Sequence, residues 1–545
     1  MRSFVRETSR AALLAAVSAL ALAPACRQAA AQEEELSPGV VAYNAGRYAE
    51  AADDFYRIVQ NGQDEMDRQK AEYYLAHSFF KMKLYQGAFQ YYGLIVKQGP
   101  RHRYYFRAVG GLVNVAEALH DGTIIPSVLN RAYGSDFERL PEKTLNKVNF
   151  LVGMLSYRAN KLDEAQEFLS AVPKKSSYYA RARYLYGLSL VKKEPKAAVK
   201  LFKEVMALPE NQYYDYSNVR ELTRLAIART EYGMGHYQEA VDWYDSVPRF
   251  SSYWDQALFE DGWAEFQAGE AGKALGSLEA LHAPQFEGAF APESWILKAT
   301  IYFFNCLYPE TKGAVNGFRR IYLPMNQKIQ AALTGEHDYD YYAKLIAQPK
   351  GELPLAVVNY LLGNQRVLGF KDYIEELVRE RAMVDSLSSW RESGLQAEVA
   401  QLIDTQAQTL DRLTGKFVEG RLKYASKVID GFDSQAEIIL FETVKAEKEL
   451  IERGVDSSAK LAGQQLYRAK VPDPNWDYWA FEGEFWIDEI GYYEYTLKNG
   501  CALRQEGRYD EDLDGPVARR RALPGTLRGG GARGGDDRAP GRARP

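Results

Sequence analysis

The stretch GRYAEAADDFYRI, from Gly46 to Ile58, carries the pattern on which the fold prediction depends. Ala51, Phe55 and Ile58 recur at helical spacing, so they occupy one face of a predicted helix. Gly46 is placed to end the preceding helix, because glycine readily adopts the left-handed conformation of a helix C-terminus. A small alanine lets two helices cross closely, and the ring four residues later fills the wider gap beyond. The stretch therefore predicts the second helix of a tightly packed pair.

The same pattern recurs over the first three-fifths of the chain. In each copy an alanine precedes a large apolar side chain by four residues. The alanines are Ala51, Ala88, Ala165, Ala198, Ala240, Ala274 and Ala314. Most steps between them stay near a period of about 34 residues. The step from Ala88 to Ala165 is about two periods long, so it predicts a degenerate copy with helices near 104–119 and 125–140.

Repetition at this period makes residues 36–324 resemble the tetratricopeptide repeat family, with about eight repeats of which one is degenerate. The resemblance implies an all-α superhelical solenoid of helix pairs, with a concave groove lined by first helices. It also implies binding of peptides or proteins rather than catalysis. The alternative is a bundle of unrelated helices.

The resemblance places a partner-binding groove on this chain, position by position. The predicted groove residues are Tyr73, His77, Tyr184, Leu188, Phe259, Trp263 and Phe266. Family members that clamp C-terminal peptides have Lys, Arg and Asn at such places, whereas aromatic residues dominate here. This difference favours an aromatic-mediated contact over a carboxylate clamp. The equal alternative is that these rings only pack against neighbouring repeats.

The N-terminus has the composition of a secretory signal peptide, predicted over residues 1–31. Three arginines precede a short apolar run, and Ala29 and Ala31 form a small-residue cleavage site. Cys26 follows an imperfect lipobox, so lipidation at Cys26 is the alternative to a free protein. The predicted localisation is periplasmic, with outer-membrane association if Cys26 is lipidated. No later stretch predicts a transmembrane span.

Composition argues against several classes of function. The net charge of -5 disfavours a nucleic-acid binder, which needs a basic face. The 6 histidines provide few general bases, and the sequence contains no phosphate loop, metal-ligand spacing or Gly-x-Ser-x-Gly motif. We therefore expect no enzyme activity, cofactor or metal. Cys306 and Cys501 could pair, but the favoured expectation is a buried core thiol and an incidental one.

Beyond the repeats, the sequence predicts a connector over 325–352 and a domain of long helices over 353–470. An apolar stripe with an approximately 3.5-residue period runs through the second of these segments. It comprises Leu395, Val399, Leu402, Leu410, Leu413, Phe417, Tyr424 and Val428. A helical hairpin packed on the end of the solenoid and an intermolecular coiled coil explain this stripe equally well.

An acidic-aromatic module follows over 471–501, and a disordered Gly-Arg-Pro-rich tail over 502–545. The module is predicted to cap the helical domain or to act as a docking epitope. The epitope residues are Trp479, Phe481, Glu484, Phe485 and Trp486. A helical stripe of Trp486, Ile490, Tyr493 and Leu497 would pack the aromatic residues against the helical domain.

The overall layout resembles the exported tetratricopeptide proteins of the myxobacterial gliding-motility machinery, with the closest likeness around 482–486. This resemblance implies a non-catalytic envelope scaffold that binds partner proteins in a gliding-motility or related complex. The alternative is an adaptor for outer-membrane assembly or lipoprotein trafficking. A third class is an envelope enzyme that uses Glu484 and Asp488, four residues apart, as general acid and base.

Overall fold

The structure, a computed structural model, describes residues 38–210, 212–347, 351–458, 465–469, 485–497 and 500–505. The predicted signal peptide with Cys26, the tail beyond residue 505, and epitope residues Trp479, Phe481 and Glu484 lie outside this part of the chain. The described residues are mostly helical and include a single two-stranded sheet, which confirms the predicted all-α class.

Sixteen α-helices of the described chain cover residues 38–333, and helices adjacent in sequence pack on each other, for example α2 on α3, α7 on α8, α9 on α10 and α13 on α14. The helices are α1 (Pro38–Asn44), α2 (Tyr48–Asn61), α3 (Glu65–Lys81), α4 (Tyr85–Gln98), α5 (Tyr105–Ala118), α6 (Ile124–Ala132), α7 (Glu142–Arg158), α8 (Leu162–Ser170), α9 (Tyr179–Leu190), α10 (Pro195–Met206), α11 (Tyr216–Gly233), α12 (Tyr237–Asp245), α13 (Trp254–Gln267), α14 (Ala271–Leu281), α15 (Pro292–Phe304) and α16 (Tyr308–Leu333). Short 3-10 turns are Ser135–Arg139, Pro284–Phe286 and Ser388–Trp390.

The repeated small residues lie where helices approach closely. The repeated alanines are all buried in helices: Ala51, Ala88, Ala165, Ala198, Ala240, Ala274 and Ala314. A Cβ atom on Gly187 of α9 would come within 2.4 Å of the Phe202 ring on α10, so only glycine fits there. Gly46 and Gly235 have φ of 76° and 81° at the turns between paired helices. This repeat-like helical architecture is compatible with a solenoid.

The expected degenerate copy is helical at its start and irregular at its end. Helix α5 falls within the segment 104–119 predicted for its first helix. The second segment, near 125–140, contains the short helix α6 and the 3-10 turn Ser135–Arg139. Asp121 caps α6, because its carboxylate accepts hydrogen bonds from the backbone N–H groups of residues 123–125.

The predicted connector over 325–352 is wrong for much of its length. Helix α16 continues through Pro324 to Leu333, and α17 (Tyr339–Ala347) follows after a short break. The helix persists because Ile329 and Ala332 are buried, so tertiary packing outweighs the loss of one backbone N–H at the proline. The breaker residues over 335–338 do lie between the two helices.

The predicted long helices form a hairpin inside the chain. After α18 (Leu355–Leu362), helix α19 (Gln365–Ser386) pairs with the 58-residue helix α20 (Leu395–Glu452). Helix α20 also packs on α4, α15, α16 and α17, so it runs along the helical array rather than capping its end. Its Tyr424 is 62% exposed, so the prediction that Tyr424 belongs to the buried stripe is wrong.

The aromatic segment near the C-terminus forms a turn and a strand instead of the predicted helix. Strand β1 (Gln465–Ala469) pairs in antiparallel fashion with β2 (Tyr493–Thr496). The predicted helical stripe of Trp486, Ile490, Tyr493 and Leu497 is therefore wrong. Gly272 and Gly276 of α14 explain the strand, since these residues without side chains let the β2 backbone lie directly on the helix.

Cys306 and Cys501 form a disulfide, so the favoured expectation of two unpaired thiols is wrong. The bond fixes the short helix α21 (Gly500–Gln505) next to the turn between α15 and α16. The buried Arg504 supports this contact, because its Nε donates to the Cys306 carbonyl oxygen at 2.8 Å and its Nη1 to that of Asp456 at 3.1 Å.

Candidate functional site

Tyr73 and His77, one turn apart on α3, form the first predicted groove cluster. Their rings stack with centroids 5.7 Å apart, and Tyr104 stacks on the other face of Tyr73 at 4.9 Å. The Tyr92 hydroxyl lies 2.7 Å from His77 Nδ1. Burial, aided by the charge of Lys81, lowers the pKa of His77 and keeps its imidazole neutral. The cluster thus offers half-buried rings that contact neighbouring helices and solvent.

Tyr184 and Leu188 on α9 line the second cluster, which encloses a cavity of about 250 Å³. Helices α7, α9 and α11 form its walls, and the start of α19 closes one side. The lining residues are Met154, Tyr157, Arg158, Arg181, Tyr184, Leu185, Leu188, Asn218, Val219, Leu222 and Gln365. Burial raises the pKa of Tyr184, so its hydroxyl remains a neutral hydrogen-bond donor and acceptor. The cavity is apolar with a basic edge.

Trp263 and Phe266 on α13 form the third cluster with Phe304 of α15. The Trp263 and Phe266 ring centroids are 6.2 Å apart, and those of Phe266 and Phe304 are 6.4 Å apart. Phe304 is 65% exposed, so this cluster reaches the surface. Phe259 does not join it, and packs instead in the core around Trp254. The structure thus brings together two of the three groove residues predicted on α13.

Two buried carboxyl groups on α13, Asp261 and Glu265, were missed by sequence reasoning. Ser277 donates a hydrogen bond of 2.8 Å to Glu265 Oε2. Burial raises the pKa of Glu265 to about 8, and it also raises that of Asp261. Their four-residue spacing on a helix with buried Gly262 and Ala264 was the available signal. Both carboxyl groups therefore keep their protons to higher pH than exposed carboxyl groups do.

A larger open cavity of about 570 Å³ lies at the start of α11. Its charged groups include Glu210, Arg220 and Arg224. Arg220 forms an ion pair with Glu210, so part of this charge is neutralised within the protein. None of the predicted groove residues lines it. This cavity is a weaker binding candidate than the smaller one, because it combines open solvent with internally paired charge.

The described part of the predicted docking epitope contacts the α12–α13 turn. Phe485 packs against Tyr493 with ring centroids 5.9 Å apart, whereas Trp486 is 57% exposed. Arg249 Nη2 donates to the carbonyl oxygens of Ile487, Asp488 and Ile490 at 3.0, 3.1 and 2.6 Å. Asp488 lies in a turn, so the helical spacing that suggested an acid and base pair does not exist there.

In the described ranges, no three His, Cys, Asp or Glu side chains are grouped to hold a metal ion. No helix in those ranges combines the length and apolar character needed to cross a bilayer. No protein-family model matches the chain, and no curated protein matches it.

Proposed function

We propose that this protein is a non-catalytic scaffold of the bacterial cell envelope, built as a tetratricopeptide-type solenoid that binds partner proteins. One observation carries the proposal: helices α3, α9 and α13, predicted as the first helices of three repeats, carry the half-buried aromatic side chains of Tyr73, Tyr184 and Trp263. Aromatic residues supply large contact areas at protein interfaces and are enriched in their energetic centres. The cluster of Trp263, Phe266 and Phe304 reaches the surface farthest.

Periplasmic localisation is part of the proposal. The Cys306–Cys501 disulfide supports it, because disulfides persist in oxidising compartments and are rare in the cytosol. The composition of the first 31 residues supports export independently. We further propose, on resemblance, that the complex served is a gliding-motility or related envelope assembly. Recovery of the mature protein in the cytoplasmic fraction would contradict the envelope assignment.

Affinity capture from crosslinked cells tests the scaffold function. The tagged full-length protein should retain specific envelope proteins. The double variant Trp263→Ala, Phe266→Ala should lose them, because it removes two of the three rings of the surface cluster. Phe441→Ala is the matched control, since Phe441 is an exposed aromatic residue of a different helix, α20.

The control for folding is a thermal unfolding curve of each variant. Capture by the double variant at wild-type level, with both proteins folded, would rule out this cluster as the binding face. The identity of the retained proteins decides the process: motility components support the gliding assignment, and barrel-assembly or lipoprotein-sorting components support the adaptor alternative. Retention of no envelope protein by the wild type would overturn the scaffold function itself.

A further inference from the structure

The last turns of α20 carry an exposed apolar face, here called the α20 stripe. Its side chains are each between 56% and 67% exposed, and they are Ile438, Phe441, Val444 and Ile451. Residues three or four positions apart are neighbours on a helix surface, and the stem of Lys448 lies between the last two members. Single exposed apolar residues are ordinary in soluble proteins, whereas a continuous stripe marks an interaction surface.

The opposite face of this segment is held against the helical array, so the α20 stripe cannot turn inward. Ala436 and Thr443 of that face are fully buried. Lys312 Nζ of α16 donates to Glu447 Oε2 at 2.7 Å and thereby fixes the rotation of the helix. The α20 stripe is therefore a preformed surface, which loses little conformational freedom when a partner binds.

The order of the side chains along this face fits a second copy of the same helix. The centre of the face advances by three, four and three residues, through Phe441, Val444, Lys448 and Ile451. This spacing is that of a coiled-coil seam. In a parallel pair each residue faces itself, so the two Lys448 ammonium groups would repel each other. In an antiparallel pair centred at the height of Ala446, Phe441 faces Ile451. Val444 then faces the aliphatic stem of Lys448. The face is therefore self-complementary in the antiparallel direction.

The charges beside the seam also tolerate an identical helix. Lys445 lies 3.8 Å from Glu442, and Lys448 lies 3.8 Å from Glu452. Both pairs are exposed and neutralised within one chain, so a second copy adds no uncompensated charge. The seam is short, and interfaces that bury less than about 1,200 Å² are typical of weak, transient complexes. We therefore expect association that depends on concentration.

We propose that the α20 stripe binds the same stripe of a second copy of this chain, in an antiparallel helix pair with two-fold symmetry. The inference goes beyond the scaffold function, because it concerns how copies assemble rather than what each copy captures. A dimer of this kind carries two Trp263 clusters. It would therefore hold a partner with repeated binding sites more tightly than a single copy does.

Sedimentation velocity of the full-length chain, in a Cys26→Ser background and over a wide range of concentrations, tests the association. We expect the sedimentation coefficient to rise with concentration from that of a monomer towards that of a dimer. Phe441→Ala should weaken dimerisation by about tenfold or more, because the largest ring leaves the seam in both copies. Tyr424→Ala is the matched control, since Tyr424 is an exposed aromatic residue of the same helix outside the α20 stripe. It should dimerise normally.

Cysteine crosslinking tests the direction of the pair. In the same background, oxidation of an equimolar mixture of Val444→Cys and Lys448→Cys chains should give crosslinked mixed dimers, because the two positions face each other in the antiparallel arrangement. Each variant alone should crosslink poorly, since a disulfide needs two Cα atoms within about 7 Å. Efficient crosslinking of each variant alone, without mixed dimers, would indicate a parallel pair and contradict the proposal.

A parent chain that sediments as a monomer at every concentration would overturn the inference and leave the α20 stripe to a different protein. Undiminished dimerisation of Phe441→Ala would overturn it as well. Each copy carries its own Trp263 cluster, so Phe441→Ala should still capture partners normally. Normal capture together with a monomeric parent refutes this inference alone, and dimerisation without any captured envelope protein refutes the scaffold function alone.

Discussion

At the scale of single residues, the Glu398 carboxylate joins the long helix α20 to two helices of the array. It accepts hydrogen bonds from the hydroxyl of Tyr56 on α2 at 2.5 Å and from that of Tyr91 on α4 at 2.6 Å. Burial, together with the bond to Glu398, raises the pKa of Tyr56 to about 12, so its hydroxyl stays a donor. One side chain thereby fixes three helices that are distant in sequence.

Replacing Glu398 with glutamine should lower the free energy of unfolding by about 2 kcal/mol. The amide keeps the size of the side chain, but its NH₂ group cannot accept the hydrogen bond from the second tyrosine. Urea unfolding of the two proteins measures the loss. Glu392→Gln is the control, because Glu392 is almost fully exposed and lies 3.8 Å from Arg57. Equal stability of Glu398→Gln and the wild type would contradict this role.

Glu265 gives the fold a stability that depends on pH. Burial raises its pKa from 4.5 to about 8 in the folded protein, so the folded state holds a proton that the unfolded state releases above about pH 4.5. The stability is therefore greatest at acid pH and falls as the pH rises from about 4.5 towards 8, by up to about 1.4 kcal/mol per pH unit. Alkaline, rather than acid, conditions weaken this part of α13.

Urea unfolding at pH 5, 6, 7 and 8 measures this slope. We expect Glu265→Gln to flatten it, because the amide carries no proton to exchange, and to be relatively more stable at pH 8. Glu270→Gln is the control, since Glu270 is partly exposed beside Lys273. A wild-type stability that rises between pH 5 and 8, or an unchanged slope in Glu265→Gln, would contradict the assignment.

At the scale of elements, local patterns predict where helices form but not their neighbours. The four-residue spacing of Ala198 and Phe202 predicted α10, because apolar residues one turn apart lie on the same face of a helix. The buried seam of α20 was harder to predict. Its buried residues Val399, Ile403 and Leu410 continue mostly in four-residue steps, so the seam drifts away from a 3.5-residue stripe before it reaches Tyr424.

Local sequence patterns did not predict which elements pack on each other or where a strand forms. The spacing of Tyr493 in the sequence fits a helix, yet Tyr493 lies in β2. The two glycines of α14 have no side chains, so the backbone of the strand can pack directly on that helix. The Cys306–Cys501 pairing depends on a contact between residues that are 195 positions apart. At the candidate site, the ring positions followed from the repeat, whereas Arg158 and Arg181 become neighbours of one cavity only after α7, α9 and α11 have packed.

Replacing each of two glycines of α20 with alanine should change the free energy of unfolding in opposite directions. At Gly415 the backbone of α17 packs so closely that a Cβ atom would lie 1.8 Å from the Tyr339 carbonyl oxygen. Gly415→Ala should therefore cost about 2 kcal/mol or more, since α17 must shift. At Gly420 a Cβ atom would meet nothing within 4 Å, so Gly420→Ala should gain up to about 1 kcal/mol from helix propensity.

Thermal and urea unfolding of these two variants compare a packed and a free glycine within one helix. Similar changes in both variants would mean that α17 does not rest on α20 at Gly415. Because both substitutions have the same intrinsic effect on helix formation, their difference reports only the contact.

At the scale of the whole molecule, α20 connects the early and late helices of the array. Its beginning binds Tyr56 and Tyr91, and its far end carries Glu447, which accepts from Lys312 Nζ of α16 at 2.7 Å. Between them, Asp433 pairs with Arg319 at 2.7 Å. A solenoid whose repeats touch only their neighbours can flex along its length. In this helical array one long helix contacts both early and late helices, and these contacts oppose such flexing.

The disulfide adds a second long-range restraint, and its removal should be measurable in the intact protein. In a Cys26→Ser background, Cys306→Ser with Cys501→Ser should lower the free energy of unfolding by at most about 5 kcal/mol, since the bond closes a loop of 195 residues. A reducing agent should destabilise the parent to the same extent and leave the double serine variant unchanged. Two free thiols in the unreduced parent would show that the bond is absent. Loss of partner capture on reduction, with the Trp263 cluster intact, would extend the role of this restraint from stability to binding.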